Sequence, residues 1–227
     1  MDISLHYIKR GAGAPLLLLH GNGESGDYFV HQLDEFAQYF TVYAVDTRGH
    51  GQSPRGTAPF TISQFADDLL GFLDGQGIGK ADILGFSDGG NIALTFALRH
   101  RDRVGRLVLN GANLDPSGVK PSVQIPIVLG YRLASRFQSP KARASAGLLG
   151  LMVNEPHINP EELASLTMPA LVIVGSRDII RASHSRLIAS SLPNGRLVTV
   201  KGDHFIANKR PRPFNRAVLE FLKEDTS

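Results

Sequence analysis

Apolar residues along this chain fall into short, nearly continuous runs, broken only by Asp82 and Thr199 and separated by segments with helical spacing. The runs occupy residues 16–19, 42–45, 81–84, 107–109, 171–174 and 197–200 and are dominated by Leu, Val, Ile and Ala. Apolar runs of this length suit strands buried on both faces, where neither side of the pleat meets water. Between them, residues 27–39, 63–73, 88–100, 182–191 and 213–223 read as helices. The second of these opens on Thr61-x-x-Gln64, a capping-box signature, and continues with Phe65, Leu69, Phe72 and Leu73 at helical spacing. Residues 3–8 alternate apolar and polar positions instead, as an antiparallel edge strand would. Strands alternating with helices imply a parallel sheet covered on both faces. The expected fold class is α/β: a doubly wound, mostly parallel sheet of about seven strands flanked by helices.

The rhythm breaks between about residues 113 and 167. Pro116, Pro121, Pro126, Pro140, Pro156 and Pro160 fall here, with short apolar segments at 125–129 and 148–153. So long a departure inside a compact domain is usually a functional insertion. We expect a single domain over residues 1–227 with a small helical cap insertion at 113–167, its apolar residues covering a pocket or filling a satellite core. There is no internal repeat and no low-complexity linker.

Composition narrows the function classes. The chain is 227 residues long, 42% hydrophobic and 20% charged, ordinary values for one globular domain. It has no cysteine, which excludes disulfides and thiolate chemistry. No window reaches ~18 uninterrupted apolar residues, so no membrane-spanning helix and no membrane partner are expected. The start, Met1-Asp2-Ile3-Ser4, shows no secretory pattern, and a cytoplasmic location is the simplest reading. A formal charge of +3 is too small to argue for nucleic acid. The most basic segment, Lys209-Arg210-Pro211-Arg212, reads as a solvated loop.

The most informative stretch is Gly85-Phe86-Ser87-Asp88-Gly89, set between an apolar run and a helical segment. A serine on a sharp strand-to-helix corner has its oxygen lifted clear of the backbone. The start of the following helix offers unpaired N–H groups and a positive dipole end. His20-Gly21-Asn22-Gly23-Glu24-Ser25 follows the run at 16–19, either as a plain tight turn or as an oxyanion hole. In the second case the N–H of Asn22 would act together with that of Asp88. Asp46-Thr47-Arg48-Gly49-His50-Gly51-Gln52-Ser53 follows the next run; Asp46 and Arg48 are expected to brace this loop through charge-assisted hydrogen bonds. Asp178 lies just past the run at 171–174, and His204 just past the run at 197–200. Catalytic groups in open α/β sheets gather at the strands' carboxyl ends, so Ser87, Asp178 and His204 can converge. Asp115 and Asp203 are competing carboxylates for the acid.

Taken together, HGNGES at 20–25, DTRGHGQS at 46–53, GFSDGG at 85–90, the strand-then-Asp at 171–178 and GDH at 202–204 resemble the α/β-hydrolase fold family. The resemblance covers nearly the whole chain. It implies a cap inserted where residues 113–167 stand, although the cap here is short. It also departs from the family in having one strand before residue 16, where members commonly have two. The resemblance implies a serine hydrolase acting on small to medium carboxylic esters, with catalytic Ser87, Asp178 and His204, no metal and no cofactor. Ser87 at the elbow's centre, with Asp88 only its neighbour, argues against the branches that use an aspartate nucleophile. Thioester, amide and carbon–carbon bond hydrolysis, perhydrolysis, a lyase-like reaction and a silent ligand-binding module are the alternatives.

Overall fold

The computed structural model describes residues 2–224. Seven strands, β1 (Tyr7–Arg10), β2 (Ala14–Leu19), β3 (Phe40–Val45), β4 (Ala81–Phe86), β5 (Val104–Asn110), β6 (Ala170–Gly175) and β7 (Gly195–Val200), form one sheet in the order β1-β3-β2-β4-β5-β6-β7. Every neighbouring pair is parallel except β1 with β3. The runs at 16–19, 42–45 and 81–84 are adjacent in the sheet, as expected.

The continuous apolar character of the strands follows from this layering. Leu17, Leu19, Tyr43, Val45, Ile83, Leu107 and Leu109 point to one face. There they pack under α2 (Ile62–Gly75), α3 (Asp88–Arg99) and α6 (Ala182–Ser191). Leu16, Leu18, Val42, Ala44, Leu84 and Val108 point to the other, against α1 (Val30–Phe36) and α8 (Pro211–Leu222). The central strands are thus apolar at nearly every position because alternate residues serve two separate cores, whereas the edge strands β1 and β7, the latter holding the run at 197–200, are largely exposed.

Some boundaries differ from the sequence reading. The edge strand begins at Tyr7, not at residue 3. Ile3 and Leu5 are buried in the core, but the backbone beside them bonds elsewhere. The His6 N–H donates to Ser53 Oγ at 2.8 Å and its carbonyl accepts from Asp46 N–H at 2.9 Å. The segment 27–39 divides into a 3₁₀ turn, Gly26–Phe29, and α1. A short helix, α7 (Ile206–Lys209), precedes α8, which starts two residues earlier than expected with Pro211 in its first turn. Only half of the capping box forms: Thr61 Oγ accepts from Gln64 N–H at 3.1 Å, while the Gln64 amide turns to Asp68.

Between β5 and β6 lie α4 (Pro121–Ala134) and α5 (Pro140–Asn154), flanked by 3₁₀ turns at Pro116–Gly118 and Pro160–Ser165. Pro121 and Pro140 sit in first turns, where a missing N–H removes no helical bond. α4 and α5 pack against one another. The apolar segment 125–129 only partly faces inward, since Ile125 and Leu129 point to solvent.

The loop after β3 is braced from within. Arg48 is fully buried and holds the Asp68 carboxylate in a two-point grip, Nε to Oδ2 at 2.6 Å and Nη2 to Oδ1 at 2.7 Å. It also donates to the Arg55 carbonyl at 3.0 Å and to Asp2. Asp46 accepts from Gly26 N–H at 2.7 Å and Gln52 N–H at 2.9 Å. Removing one partner of such a buried pair strands the other charge. Arg48→Met should therefore lower unfolding stability by roughly 3–5 kcal/mol, with Arg48→Met/Asp68→Leu recovering part of it, in urea denaturation. Equal losses in the single and double variants would show that the ion pair is not what stabilises the loop.

Candidate active site

Ser87 adopts φ 52° and ψ −119°, and it is the only residue other than glycine with positive φ among those described. A side chain held in that region is strained and persists only where its surroundings impose it. Here they do so from three sides. The Ser87 N–H donates to the Asn110 carbonyl of β5 at 2.8 Å. A Cβ at Gly85 would meet the Gly89 carbonyl, and one at Gly89 would meet the Leu19 carbonyl. The two glycines thus let β4, α3 and β2 close tightly on the turn.

The turns after β6 and β7 bring two further groups to this hydroxyl. His204 Nε2 lies 3.1 Å from Ser87 Oγ, and His204 Nδ1 lies 2.7 Å from Asp178 Oδ1. Asp178 also accepts from Ile180 N–H at 3.0 Å and Gly175 N–H at 3.1 Å. Burial works to raise its pKa, but the bonds from His204, Ile180 and Gly175 outweigh it and hold the carboxyl below its ordinary value. A carboxylate against Nδ1 fixes that nitrogen as the donor and leaves the Nε2 lone pair facing the serine. Gly111, at φ 66°, lies against the imidazole, and a Cβ there would fall 2.6 Å from its Cε1. Phe86 backs the ring at 4.9 Å and is itself stacked on Tyr28 at 4.3 Å.

The competing carboxylates are engaged elsewhere. Asp115 caps a 3₁₀ turn through Ser117 N–H at 2.8 Å and pairs with exposed His157 at 2.9 Å. Asp203 accepts from Phe205 N–H at 2.9 Å and from Lys209 at 2.6 Å.

Asn22 and Asp88 flank the elbow. Neither backbone N–H has a hydrogen-bond partner among the described residues, while their side chains bond to one another and to neighbours. Asn22 Nδ2 donates to Asp88 Oδ2 at 2.9 Å and to the Leu148 carbonyl of α5 at 2.8 Å, tying this turn to the helices between β5 and β6. Asp88 also accepts from Asn91, which bonds in turn to Asn113. Burial raises the Asp88 pKa against the opposing bonds from Asn22 and Asn91.

Two residues of this turn carry parts that sequence reasoning did not assign. His20 is buried, with Nδ1 2.7 Å from the Gly21 carbonyl and Nε2 accepting from Thr47 N–H at 3.0 Å. The carbonyl can only accept, so the proton sits on Nδ1, and burial pushes the ring's pKa down to about 4. Neutral His20 thus pins the Asn22 turn to the loop after β3. Glu24 accepts from Gly21 N–H at 3.2 Å, and burial pushes its carboxyl up to about 7 against the pull of that N–H and of His204. The signal for both was their place inside HGNGES, next to the candidate oxyanion donors. Among the described residues no group of three or more His, Asp or Glu is placed to hold a metal ion.

The comparisons with known proteins agree with this architecture. The alpha/beta hydrolase fold family matches residues 14–149. "Putative carbamate hydrolase RutD" of Caulobacter sp. (strain K31) is 30% identical, over 93% of this chain and 91% of that protein. The 2-hydroxymuconate semialdehyde hydrolase of Pseudomonas putida is 32% identical, over 76% of this chain and 59% of its own length. The crystal structure of the enol-lactonase from Burkholderia xenovorans LB400 superposes with a TM-score of 0.83 at 25% identity, covering 98% of this chain and 97% of that one. With one fold, one topology and a match across most of its length, the chain belongs to the alpha/beta hydrolase fold family.

Proposed function

We propose that this chain is a serine hydrolase cleaving small to medium carboxylic esters through an acyl-enzyme on Ser87. The observation that carries the reading is the unbroken path Asp178–His204–Ser87, at 2.7 and 3.1 Å, ending on a strained, half-buried corner. In the proposed reaction Ser87 Oγ attacks the acyl carbon while Nε2 of His204 takes its proton. The tetrahedral oxygen receives the free N–H groups of Asn22 and Asp88, and the imidazolium returns its proton to the departing alkoxide. Water, deprotonated by the same Nε2, then attacks the acyl carbon; the acid leaves and Ser87 is restored. Every proton and bond balances on these residues and water, so the scheme needs no cofactor.

The proposed substrate size is supported by the space next to the Asn22 turn. A cavity of about 410 Å³ lies between α5 and the loop after β3, lined by Phe60, Ala144, Gly147 and Leu148 with Arg55 and Arg143. Leu148 contributes to this lining and its carbonyl accepts from Asn22 Nδ2, which links the cavity to the Asn22 turn, although neither Ser87 nor His204 lines it. A volume of that order fits a small ligand. Among the relatives' names, an enol-lactonase acts on a cyclic ester and fits this reading, while a carbamate hydrolase and a 2-hydroxymuconate semialdehyde hydrolase favour a second one. In it the same residues cleave a bond other than a simple ester.

A series of p-nitrophenyl esters read against fluorophosphonate labelling separates these. The wild type should hydrolyse short esters, with activity falling gradually as the acyl chain lengthens, and Ser87→Ala should lose both turnover and labelling. Labelling without ester turnover would favour the second reading or a lyase-like reaction. Absence of both would favour a ligand-binding module.

The acid can be tested separately. With Asp178→Asn the imidazole loses its correct tautomer, and turnover should fall by ~10⁴, the size of effect known for a serine protease. Asp115→Asn should change it little. The reverse pattern would move the acid to Asp115 while leaving Ser87 and His204 in place.

The Glu24 carboxyl gives the site a pH signature. Its ordinary value is 4.5, yet in the fold it holds its proton to about 7. The native state therefore binds more proton than the unfolded chain in this window, and stability falls as pH rises through it. Glu24→Gln, which keeps an acceptor for Gly21 N–H, should melt higher than wild type at about pH 8, with the gap closing below about pH 5. A gap independent of pH would mean that Glu24 is ionised throughout.

A further inference from the structure

We propose that the outer face of α4 and the turn after it docks this protein onto an anionic phospholipid surface. Ile125, Leu129, Leu133 and Phe137 recur at intervals of four and are 59%, 59%, 58% and 57% exposed. No residue of α4 is buried. Its inner side, with Val123, Ile127, Val128 and Tyr131, is half-buried, so the outer residues are a second apolar stripe and not spillover from a core. Leu133 and Phe137 continue into a groove of about 530 Å³ between α4 and α5, floored by Ala134, Ala142 and Leu149. Contiguous exposed apolar surface of this kind marks an interaction site.

Charge decides what the partner is. Residues 116–154 contain Lys120, Arg132, Arg136, Lys141 and Arg143 and no Asp or Glu at all. The chain's net charge is only +3, so the remainder is net negative and the positive field is concentrated here. Arg132, Arg136, Lys141 and Arg143 take part in no ion pair with a described residue. Arg132 stands seven positions after Ile125, on the same helix face, and Lys141 lines the groove itself. An apolar stripe rimmed by unpaired cations is the pattern of a helix lying in a lipid interface, apolar side down and cations on the headgroups. Two copies pairing through this face would set cations against cations, which argues against a symmetric dimer here.

The sequence reading expected no membrane partner, because it sought a spanning segment. No described helix is long and apolar enough to cross a membrane, and an interfacial helix need not be. α4 packs on α5, and α5 holds Asn22 through the Leu148 carbonyl, so docking would set the candidate site close to the lipid. The binding itself does not depend on the chemistry proposed for Ser87.

Co-sedimentation with vesicles of phosphatidylglycerol and phosphatidylcholine, against vesicles of phosphatidylcholine alone, tests the proposal. The wild type should bind the anionic vesicles only, and less as salt rises. Arg132→Gln/Arg136→Gln should weaken that binding about thirtyfold, from the attraction each cation feels near an anionic surface. Leu129→Ser/Leu133→Ser should abolish it, with the circular dichroism spectrum and hydrolysis of a short water-soluble ester unchanged in both variants. No binding, or equal binding to both vesicle types, would overturn the proposal. Light scattering that shows a wild-type dimer made monomeric by Leu129→Ser/Leu133→Ser, without vesicle binding, would overturn it in favour of a second copy.

Discussion

The backbone of one residue constrains much of this molecule. Ser87 is held at φ 52°, a conformation of order 1–3 kcal/mol above the ordinary regions for a residue with a side chain. The surrounding structure imposes that geometry. β5 takes the Ser87 N–H, and the turn allows α3 to start without a gap, so α3 lies close over β2, β4 and β5. The close approach in turn requires glycine at 85 and 89, because a single Cβ at either would collide with a backbone carbonyl. Strain, strand spacing and the two glycines are therefore one feature, and none of them is stable without the others.

Parallel strands convert that local geometry into a site. All strands but β1 run in the same direction, so the turns after β2, β4, β6 and β7 emerge on one edge. Asn22, Ser87, Asp178 and His204 come from those four turns. The sheet supplies their convergence, and the turns supply the three side chains and the Asn22 N–H. The polar loop after β3 belongs to the same edge but is occupied with support: Arg48 and Asp46 brace it, and Thr47 accepts the task of orienting His20.

The sheet and the three central side chains were legible because each is announced locally, by an apolar run and by a polar residue just after it. What was not legible depends on distant partners. Gln64 reads as half of a capping box, but the fold supplies Asp68 one turn on, and Asp68 is itself fixed by Arg48. Residues 3–6 alternate like a strand, yet the loop at 46–53 takes both backbone bonds of His6. The prolines at 121 and 140 look like breaks in a pattern and stand instead in the first turns of α4 and α5. The exposed stripe on α4 could not be seen from hydrophobicity, since a run of apolar residues does not say which of them lack a neighbour.

The carboxyls around the elbow show how burial sorts groups of one chemical type. Glu24, Asp88 and Asp178 all lose hydration, which raises each pKa, and the outcome depends on what replaces the water. Asp178 gains an imidazole and two backbone N–H groups, and its pKa falls. Asp88 gains amide donors from Asn22 and Asn91 and Glu24 a single N–H, with His204 attracting both from a distance, and burial outweighs these, so both rise. The carboxylate that touches the imidazole is thereby the one favoured in its charged form, while burial pushes the two nearest the Asn22 turn the other way. Carboxyls whose surroundings drive their pKa values apart take different parts in a mechanism. On that ground the difference between Asp178 and its two neighbours is as much a property of the proposed machinery as the position of Ser87.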